Sequence, residues 1–330
     1  MNISLAQAEQ LVSSVFVQNG MEASSGLSVA RALVQAEAAG QGGHGLRRVP
    51  AYVKQVRSGK VDGRARPLTD RPRPAVLTID AAHGFAYPAL DLAVQMLPEI
   101  VREQGIALAA VHRSHHAGVM ALTVERFAEQ GLVAMMFANA PAAMAPWGGR
   151  TPLYGTNPIA FAVPVAGSEP LVIDLALSKV ARGKVMAAHQ KNARIPEDWA
   201  FDTDGRPTTD AAAALKGTMA PSGGAKGAAL ALMVEVLAAG LTGANFSYQA
   251  SSLFDEHGPS PALGQMIIAI DPNAASGGGT TERMAALAAE MARDEGVRLP
   301  GRRGRGLRQA ALETGLTIED DVMASIAALG

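Results

Sequence analysis

The sequence has no cysteine among its 330 residues. Disulfide bonds, thiolate metal sites and a cysteine nucleophile are therefore excluded, and the absence agrees with a reducing compartment. Charge of one sign is not in excess either, since 29 Lys and Arg oppose 30 Asp and Glu. Such a chain has no general field that attracts nucleic acid or an anionic membrane, so we expect neither as a partner and expect any basic site to be local.

Long apolar runs are also lacking. The most apolar stretch, residues 227–241, is interrupted by Glu235 and is too short to span a bilayer. Residues 1–5 lack the cationic and apolar regions of a signal peptide. We therefore expect a cytoplasmic protein, and the length favours a globular chain of two domains.

The hydrophobic periodicity predicts helices that alternate with short buried strands. Ser4 and Gln7 form a predicted capping box at the start of the first helix. The predicted helices cover residues 5–18, 24–39, 50–57, 87–104, 119–130, 178–189, a segment after 227, and 281–296. The predicted strands cover residues 75–80, 106–111, 131–139, a segment near 159–164, 171–176 and 264–270, and residues 64–74 are expected to be an exposed connection. This pattern alone indicates an α/β protein.

One histidine stands between glycines where a predicted helix ends. His44 is flanked by Gly43 and Gly45, and Arg47 and Arg48 follow. A glycine-flanked backbone lets a small ligand approach closely, an imidazole titrates near neutral pH, and a guanidinium binds a carboxylate through two hydrogen bonds. The segment is therefore a candidate acid/base site for a small carboxylic acid. A helix C-cap followed by a solvated loop explains the same residues equally well.

Residues 40–45 also spell the dinucleotide motif G-x-G-x-x-G. That motif needs a strand before it and a helix after it, so that the pyrophosphate meets a helix N-terminus. Here a helical pattern precedes the glycines, and no acidic residue follows at the required distance. We therefore exclude a Rossmann site at this segment.

A second polar cluster, residues 112–118, follows the predicted strand at 106–111. His112 and His116 have the spacing of metal ligands on one helical face, but no carboxylate completes a ligand set, and we predict no metal site. A turn that carries Ser and His between a strand and a helix favours a ligand-facing role. Histidines that cap the following helix are the alternative for His112 and His115.

Three further segments suit an anionic ligand. Asp174 ends an apolar strand, where it could orient a histidine, bind a ribose or cap a helix. Residues 221–227 are rich in glycine and contain Lys226; they miss the Walker pattern yet could form a phosphate cradle before a helix. Residues 297–305 hold four arginines, which fit an anionic ligand or a solvated loop.

These motifs together resemble the malate/L-lactate dehydrogenase family, which lacks a Rossmann fold. The resemblance covers nearly the whole chain and rests on segments 44–48, 114–116, 155–161, 174–184, 223–227 and 298–301. Within the family, segments 114–116, 241–247 and 298–301 are most similar to the Δ1-piperideine-2-carboxylate/Δ1-pyrroline-2-carboxylate reductases, which reduce a cyclic imino acid with NADPH.

The resemblance implies a role for each matching residue. His44 would be the proton donor, with Asp174 as a second catalytic residue, while Arg48 would bind the substrate carboxylate and Thr156 would contact the substrate. NADPH is expected over NADH, with Arg302 and Arg303 suited to its 2′-phosphate. The implied cofactor contacts are His116, Ala117, Gly118, Val119, Met120, Asp174, Leu175, Ala176, Lys226, Arg298, Leu299, Pro300, Gly301, Arg302, Arg303 and Gly304.

Two positions depart from the family pattern. Gly43 stands where the family usually has a serine of the proton relay, so another group replaces that serine or the proton step is weakened. Ala225 stands where close relatives often carry histidine, which puts a side-chain contact to the cofactor in doubt.

The resemblance also implies an architecture. A non-Rossmann cofactor domain with a central mixed sheet, residues 113–275, would be inserted between segments 1–112 and 276–330. Those two segments would form a flanking α/β domain for substrate binding and dimerisation, and the working unit would be a homodimer.

The function expected first is NADPH-dependent reduction of a cyclic imino acid to L-pipecolate or L-proline. The alternative is a 2-hydroxy acid dehydrogenase of the same family, acting on malate, lactate, sulfolactate or ureidoglycolate. A non-catalytic anion-binding protein that has lost the relay serine is the third hypothesis.

Overall fold

The structure, a computed structural model, describes residues 2–330. The helices are α1 (Leu5–Gln18), α2 (Ala23–Ala38), α3 (Val49–Arg57), α4 (Ala86–Gln104), α5 (Met120–Ala128), α6 (Arg182–Gln190), α7 (Ala211–Lys216), α8 (Ala225–Glu235), α9 (Pro272–Ser276), α10 (Thr280–Met291), α11 (Arg302–Thr314) and α12 (Asp320–Ala327). The strands are β1 (Asn2–Ile3), β2 (Leu68–Arg73), β3 (Val76–Asp80), β4 (Ile106–Ser114), β5 (Val133–Ala138), β6 (Ile159–Val165), β7 (Ser168–Leu175), β8 (Ala200–Phe201), β9 (Thr218–Met219), β10 (Leu263–Ile270) and β11 (Leu316–Thr317).

A seven-stranded sheet forms the centre of the molecule, in the order β2-β3-β4-β10-β5-β6-β7. β3 and β4 run parallel, whereas the other neighbouring pairs run antiparallel. A Rossmann sheet is mostly parallel. The predicted α/β fold with a non-Rossmann, mixed central sheet is therefore confirmed.

The strand sequences explain their positions in the sheet. β10 is almost continuously apolar and its residues are mostly buried, as a central strand requires. β2 contains two arginines and a proline and is fully exposed, which suits an edge. Helices α4 and α5 pack on one face of the sheet, and α8 packs on the other.

The N- and C-terminal segments share a separate core. Helices α1, α2 and α3 pack with α12 and the end of α11. β1 pairs with β11, which places Ile3 opposite Leu316. The two ends of the chain therefore lie together. The predicted domain boundaries at 112/113 and 275/276 stay a prediction; β2, β3 and β4 lie in one sheet with strands from residues 113–275.

Most predicted elements are present, and the capping box of Ser4 and Gln7 is confirmed. Helices α7, α9 and α12 and the two-residue strands β1, β8, β9 and β11 were not predicted, and three further segments differ from the predictions. Residues 64–74 contain the edge strand β2, which its charges and proline concealed. β4 continues to Ser114, because Leu263 and Gln265 of β10 extend the pairing. Within residues 2–330 no helix is both long and apolar enough to cross a bilayer.

The third difference concerns the arginine-rich segment 297–305. It was expected to be a loop, but α11 begins at Arg302. Gly301, with φ of 86°, turns the chain into this helix. Arg305 and Arg308 then form ion pairs with the buried Glu125 of α5, so Arg305 serves the packing of α11 rather than a ligand.

Candidate active site

His44 ends a short 3-10 turn, Gly42–His44, between α2 and α3. The turn is held by Glu37 of α2, whose Oε2 accepts the N–H of Leu46 at 2.8 Å. A Cβ at Gly45 would lie 2.3 Å from that same oxygen, so glycine is needed there. At Gly43 a Cβ would meet no atom within 4 Å, so the position has room for the serine that the family resemblance leads us to expect there.

The side chain of His44 begins a line of four hydrogen-bonding groups, here called the relay. Nδ1 of His44 lies 3.1 Å from Nε2 of His116, and the two rings are stacked with centroids 5.0 Å apart. Nδ1 of His116 lies 2.7 Å from the hydroxyl of Tyr52, which lies 3.2 Å from the hydroxyl of Tyr87. The relay leaves Nε2 of His44 as the ring atom for a substrate.

All four relay groups are neutral at pH 7. Burial, and secondly the charge of Arg48, lower the pKa of His44 to about 4 and that of His116 well below its usual value. Burial raises the pKa of the Tyr52 and Tyr87 hydroxyls. A neutral imidazole has one donor and one acceptor nitrogen, so the relay can carry a proton in either direction when its tautomers exchange.

Arg48 lies next to the relay at the start of α3. Its Nε donates to the carbonyl of Gly43 at 2.8 Å, and its guanidinium carbon lies 4.5 Å from the ring centroid of Phe254. Its Nη1 is buried without a partner within residues 2–330. A buried donor of this kind is suited to a carboxylate. Arg47 instead pairs with Glu319 and Asp321 of the C-terminal segment.

Asp174 caps helix α5. Its Oδ2 accepts the N–H of Ala121 at 2.8 Å, and the N–H of Met120 also points to the carboxylate. Desolvation raises the pKa of this carboxyl, although the residue keeps an open side toward solvent. Within residues 2–330 it makes no hydrogen bond to a histidine. The contacts of Asp174 are those of the helix-capping alternative. Nδ1 of His44, which a carboxylate could have oriented, is bonded to His116 instead.

The segments predicted to bind the cofactor converge on the C-terminal half of β7. The N–H of Leu177 donates to the carbonyl of Thr156 at 2.8 Å, and the carbonyl of Leu177 accepts the N–H of Ser222 at 2.7 Å. The N–H of Val172 donates to the carbonyl of Pro300 at 3.3 Å. Together with the bond from α5 to Asp174, these bonds bring together the segments of residues 116–120, 155–158, 174–177, 221–226 and 298–304.

The residues at this edge fit a phosphorylated dinucleotide. Gly223 and Gly224, with φ of 69° and 66°, form a turn without side chains before α8. Lys226 is exposed in the first turn of α8. Arg302 and Arg303 are exposed in the first turn of α11, where Arg302 donates to Ser168 at 3.1 Å. Helix N-termini with nearby cations bind phosphate groups. The predicted contacts Ala117, Gly118, Val119, Leu175, Ala176, Arg298, Leu299, Pro300, Gly301 and Gly304 lie on the same segments.

A buried polar network beneath Thr156 was missed by sequence reasoning. Glu235 accepts the backbone N–H and the hydroxyl of Ser247, both at 2.6 Å, and the side-chain amide of Asn157 at 2.7 Å. The network ties the Thr156 loop to α8. The sequence feature that could have revealed the network is Glu235, a single acidic residue within the apolar stretch 227–241. Its presence was interpreted only as evidence against a membrane span.

The remaining histidines of the second cluster do not cap a helix. His112 lies in β4, near Asp80. His115 is buried beside Tyr52 and Phe85, and neither of its ring nitrogens has a partner within residues 2–330. Tyr52 itself was missed, although its position one helical turn after Arg48 could have indicated a shared site.

An unpaired guanidinium N–H suited to a carboxylate, a line of neutral hydrogen-bonding groups and an edge suited to a dinucleotide are the features expected of an oxidoreductase, here without a Rossmann fold. The chain belongs to the malate/L-lactate dehydrogenase family, since that family's model matches residues 3–327. The recognition made from the motifs is therefore confirmed, and the protein is an NAD(P)H-dependent oxidoreductase.

Three relatives illustrate the range within the family. The chain is 51% identical over 307 residues, 93% of its length and 92% of the relative, to the (2R)-3-sulfolactate dehydrogenase (NADP(+)) of Chromohalobacter salexigens. It is 39% identical to the Δ1-pyrroline-2-carboxylate/Δ1-piperideine-2-carboxylate reductase of Pseudomonas putida, over 96% of this chain and 94% of that protein. The solved structure of the Δ1-piperideine-2-carboxylate reductase of Pseudomonas syringae matches with a TM-score of 0.95 at 37% identity, covering 100% of both chains.

Proposed function

We propose that the enzyme catalyses hydride transfer between NADP(H) and the carbon next to a carboxylate, with a 2-hydroxy acid of the sulfolactate type as its first substrate class. The observation that carries the proposal is the relay of His44, His116, Tyr52 and Tyr87. Bound NADP⁺ would supply the hydride acceptor.

Arg48 would bind the substrate carboxylate with its guanidinium edge. Nε2 of His44 would face the hydroxyl of the substrate and accept its proton as the neighbouring C–H bond loses hydride. Because burial keeps His44 neutral, it can act as a base at pH 7. The proton would then be held by His44 and His116, as an imidazolium whose remaining N–H donates to the Tyr52 hydroxyl, and the product would be a 2-oxo acid. Thr156 would contact the substrate, as the family resemblance implies.

The relay favours a C–O substrate over a C=N substrate. A ketone must gain a proton as its alkoxide forms, and an alcohol must lose one, whereas a protonated iminium accepts hydride without a proton transfer. Burying four polar groups costs stability. A chain that bears this cost at its site is better suited to a reaction in which a proton must be transferred to or from the substrate. The 51% identity to a 2-hydroxy acid dehydrogenase supports the same choice.

Reduction of a cyclic imino acid is the second candidate, and it was the function expected first from the motifs. The match to the Pseudomonas syringae reductase over the whole chain favours it. Both substrate classes place a carboxylate beside the reacting carbon, so Arg48 would serve either one.

The preference for NADPH over NADH belongs to the same proposal. Arg302 and Arg303 are the exposed cations of the α11 start, and guanidinium groups bind a phosphate through paired hydrogen bonds. Lys226 would contact another phosphate at the start of α8.

We also propose a homodimer in the cytoplasm. The helical segment from α8 onward exposes a strip of large apolar side chains, a feature typical of interaction surfaces: Leu230, Leu232, Met233, Val236 and Leu241. Light scattering of wild type and Leu241→Glu tests the dimer, since the charge should yield monomers. A monomeric wild type would contradict it.

Initial rates with a substrate panel test the function. NADP⁺ reduction by (2R)-3-sulfolactate, malate and lactate is compared with NADPH oxidation by Δ1-piperideine-2-carboxylate, Δ1-pyrroline-2-carboxylate, pyruvate and oxaloacetate. The highest kcat/KM for a 2-hydroxy or 2-oxo acid supports the first proposal, and the highest for a cyclic imine supports the second. Cofactor binding without turnover of any of them would indicate the non-catalytic alternative.

A further inference from the structure

Residues 252–257 form a loop next to Arg48, here called the Lys60 loop. Lys60 follows α3, and its side chain is only 1% exposed. Its ammonium donates to three backbone carbonyls of the loop, those of Ser252 at 2.6 Å, Asp255 at 3.0 Å and His257 at 2.7 Å. An ammonium has three donors, so all are satisfied. Opening of the loop would leave a charge buried without partners, and the attachment is therefore firm.

A second buried side chain holds the same loop. The amide of Gln55, which is fully buried in α3, donates to the carbonyl of Asp255 at 3.0 Å. The carboxylate of Asp255 also lies 3.5 Å from the Lys60 ammonium. Since Arg48 lies at the start of the helix that carries Gln55, one rigid element fixes both the loop and the guanidinium.

Phe254 is the part of the Lys60 loop that reaches Arg48. Its ring lies over the guanidinium, with 4.5 Å between the ring centroid and Cζ, and the residue remains 40% exposed. A cation is attracted to the face of an aromatic ring. With that face covered, the guanidinium can offer its edge N–H groups to a carboxylate, which is the geometry of paired hydrogen bonds.

We propose that Phe254 is a substrate-positioning residue that Lys60 holds in place. It keeps the edge of the Arg48 guanidinium toward the substrate carboxylate, and its exposed part forms a wall of the substrate pocket. This inference rests on the proposed role of Arg48. It assigns a function to the loop and to a buried lysine that lie outside the relay and the cofactor segments.

Phe254→Leu tests the inference, because leucine keeps an apolar side chain but has no aromatic face. For the best substrate of the wild type, KM should rise about 2- to 5-fold, the size of a partly exposed cation–π contact. The dissociation constant of oxamate, measured by calorimetry with NADPH bound, should rise by the same factor. The kcat and the NADPH dissociation constant should stay within error of wild type, and Phe254→Tyr should recover the lost affinity.

Tyr248→Leu is the matched control. Tyr248 is an exposed aromatic residue six positions earlier, and it stacks on Phe246 with ring centroids 5.9 Å apart. Its replacement should leave KM and oxamate binding unchanged. An unchanged KM and oxamate affinity in Phe254→Leu would overturn the inference while leaving the proposed function intact.

A double-mutant cycle tests the part assigned to Lys60. Lys60→Met removes the ammonium, and circular dichroism establishes that the variant folds. The cycle compares Lys60→Met, Phe254→Leu and the variant that carries both substitutions. If Lys60 acts through Phe254, the dissociation constant of oxamate in the double variant should not exceed the higher of the two single-variant values. If instead the factors by which the two substitutions raise that dissociation constant multiply in the double variant, Lys60 acts independently of Phe254, and the role proposed for Lys60 is overturned. Should the wild type turn over no substrate of the panel, the proposed function fails, and the oxamate titrations still decide the role of Phe254.

Discussion

Removing the Tyr52 hydroxyl should slow catalysis on substrates that exchange a proton. In Tyr52→Phe, Nδ1 of His116 loses its 2.7 Å partner and the hydroxyl of Tyr87 loses its 3.2 Å partner. The ring of Tyr52 packs near Phe85 and would stay in place. His44 keeps its bond to His116, but an imidazolium that forms on His116 no longer has an acceptor for its Nδ1–H.

The magnitude follows from the burial of the site. A buried nitrogen left without a hydrogen bond costs about 1–3 kcal/mol, which corresponds to roughly 5- to 150-fold in rate if the whole cost falls on the proton step. Tyr87→Phe removes a longer contact, farther from His44, and should have a smaller effect. Tyr52→Phe should unfold a few degrees below wild type, because it leaves Nδ1 of His116 unpaired, whereas Tyr87→Phe should unfold close to wild type, because the Tyr52 hydroxyl keeps its bond to His116.

Steady-state kinetics on two substrates separates the relay from a structural role. The kcat of Tyr52→Phe should fall on a 2-oxo or 2-hydroxy acid and change much less on a cyclic imine, most clearly at low pH where the iminium is already protonated. A general loss of order at the site would lower both rates together. Equal losses on both substrates, or an unchanged kcat on the 2-oxo acid, would refute the relay.

Three other predictions concern affinity and stability. Arg48→Lys should raise the KM of the carboxylate substrate about 10- to 100-fold, because an ammonium lacks the planar fork, while fluorescence titration should find NADPH binding unchanged; a normal KM would remove Arg48 from the site. Arg303→Glu should lower the NADPH/NADH ratio of kcat/KM by about 10-fold or more, and Arg302→Glu by less, since Arg302 also binds Ser168; two unchanged ratios would contradict the assignment. Burial, and then Arg48, lower the pKa of His44 to about 4 and of His115 to about 3, below the ordinary 6.5. The unfolded state then binds more protons below pH 6.5, so Tm should be highest above that pH and fall as the pH drops toward 4; a flat Tm would be inconsistent with neutral buried imidazoles.

The sequence was informative wherever local pattern and tertiary structure agree. Apolar runs identified β10 and β7, although the predicted burial of β7 was wrong, because it lies at the edge of the sheet and is mostly exposed. Glycines placed around His44 indicated a backbone that a ligand can approach. Spacing indicated only that an arginine accompanies His44; the choice of Arg48 over Arg47 came from the resemblance to the family.

Contacts between distant segments could not be predicted in the same way. The bond of His44 to His116 joins residues 72 positions apart, and the Lys60 loop lies about two hundred residues after the lysine that holds it. Asp174 illustrates the limit, because a carboxylate at a strand end suits a histidine or a helix start equally, and only the position of α5 decides. The order of the strands in the sheet arises from such long-range packing as well.

The central claim is that His44 moves the substrate proton, and kinetics of His44→Ala test it most directly. Positioned proton transfer contributes about 10²–10⁴-fold, so kcat on a 2-hydroxy or 2-oxo acid should fall by that factor. NADPH should still bind with its wild-type dissociation constant in a fluorescence titration, and Tm should fall by no more than a few degrees, since Nε2 of His116 loses its partner. An undiminished kcat, or a loss of NADPH binding together with activity, would contradict the account.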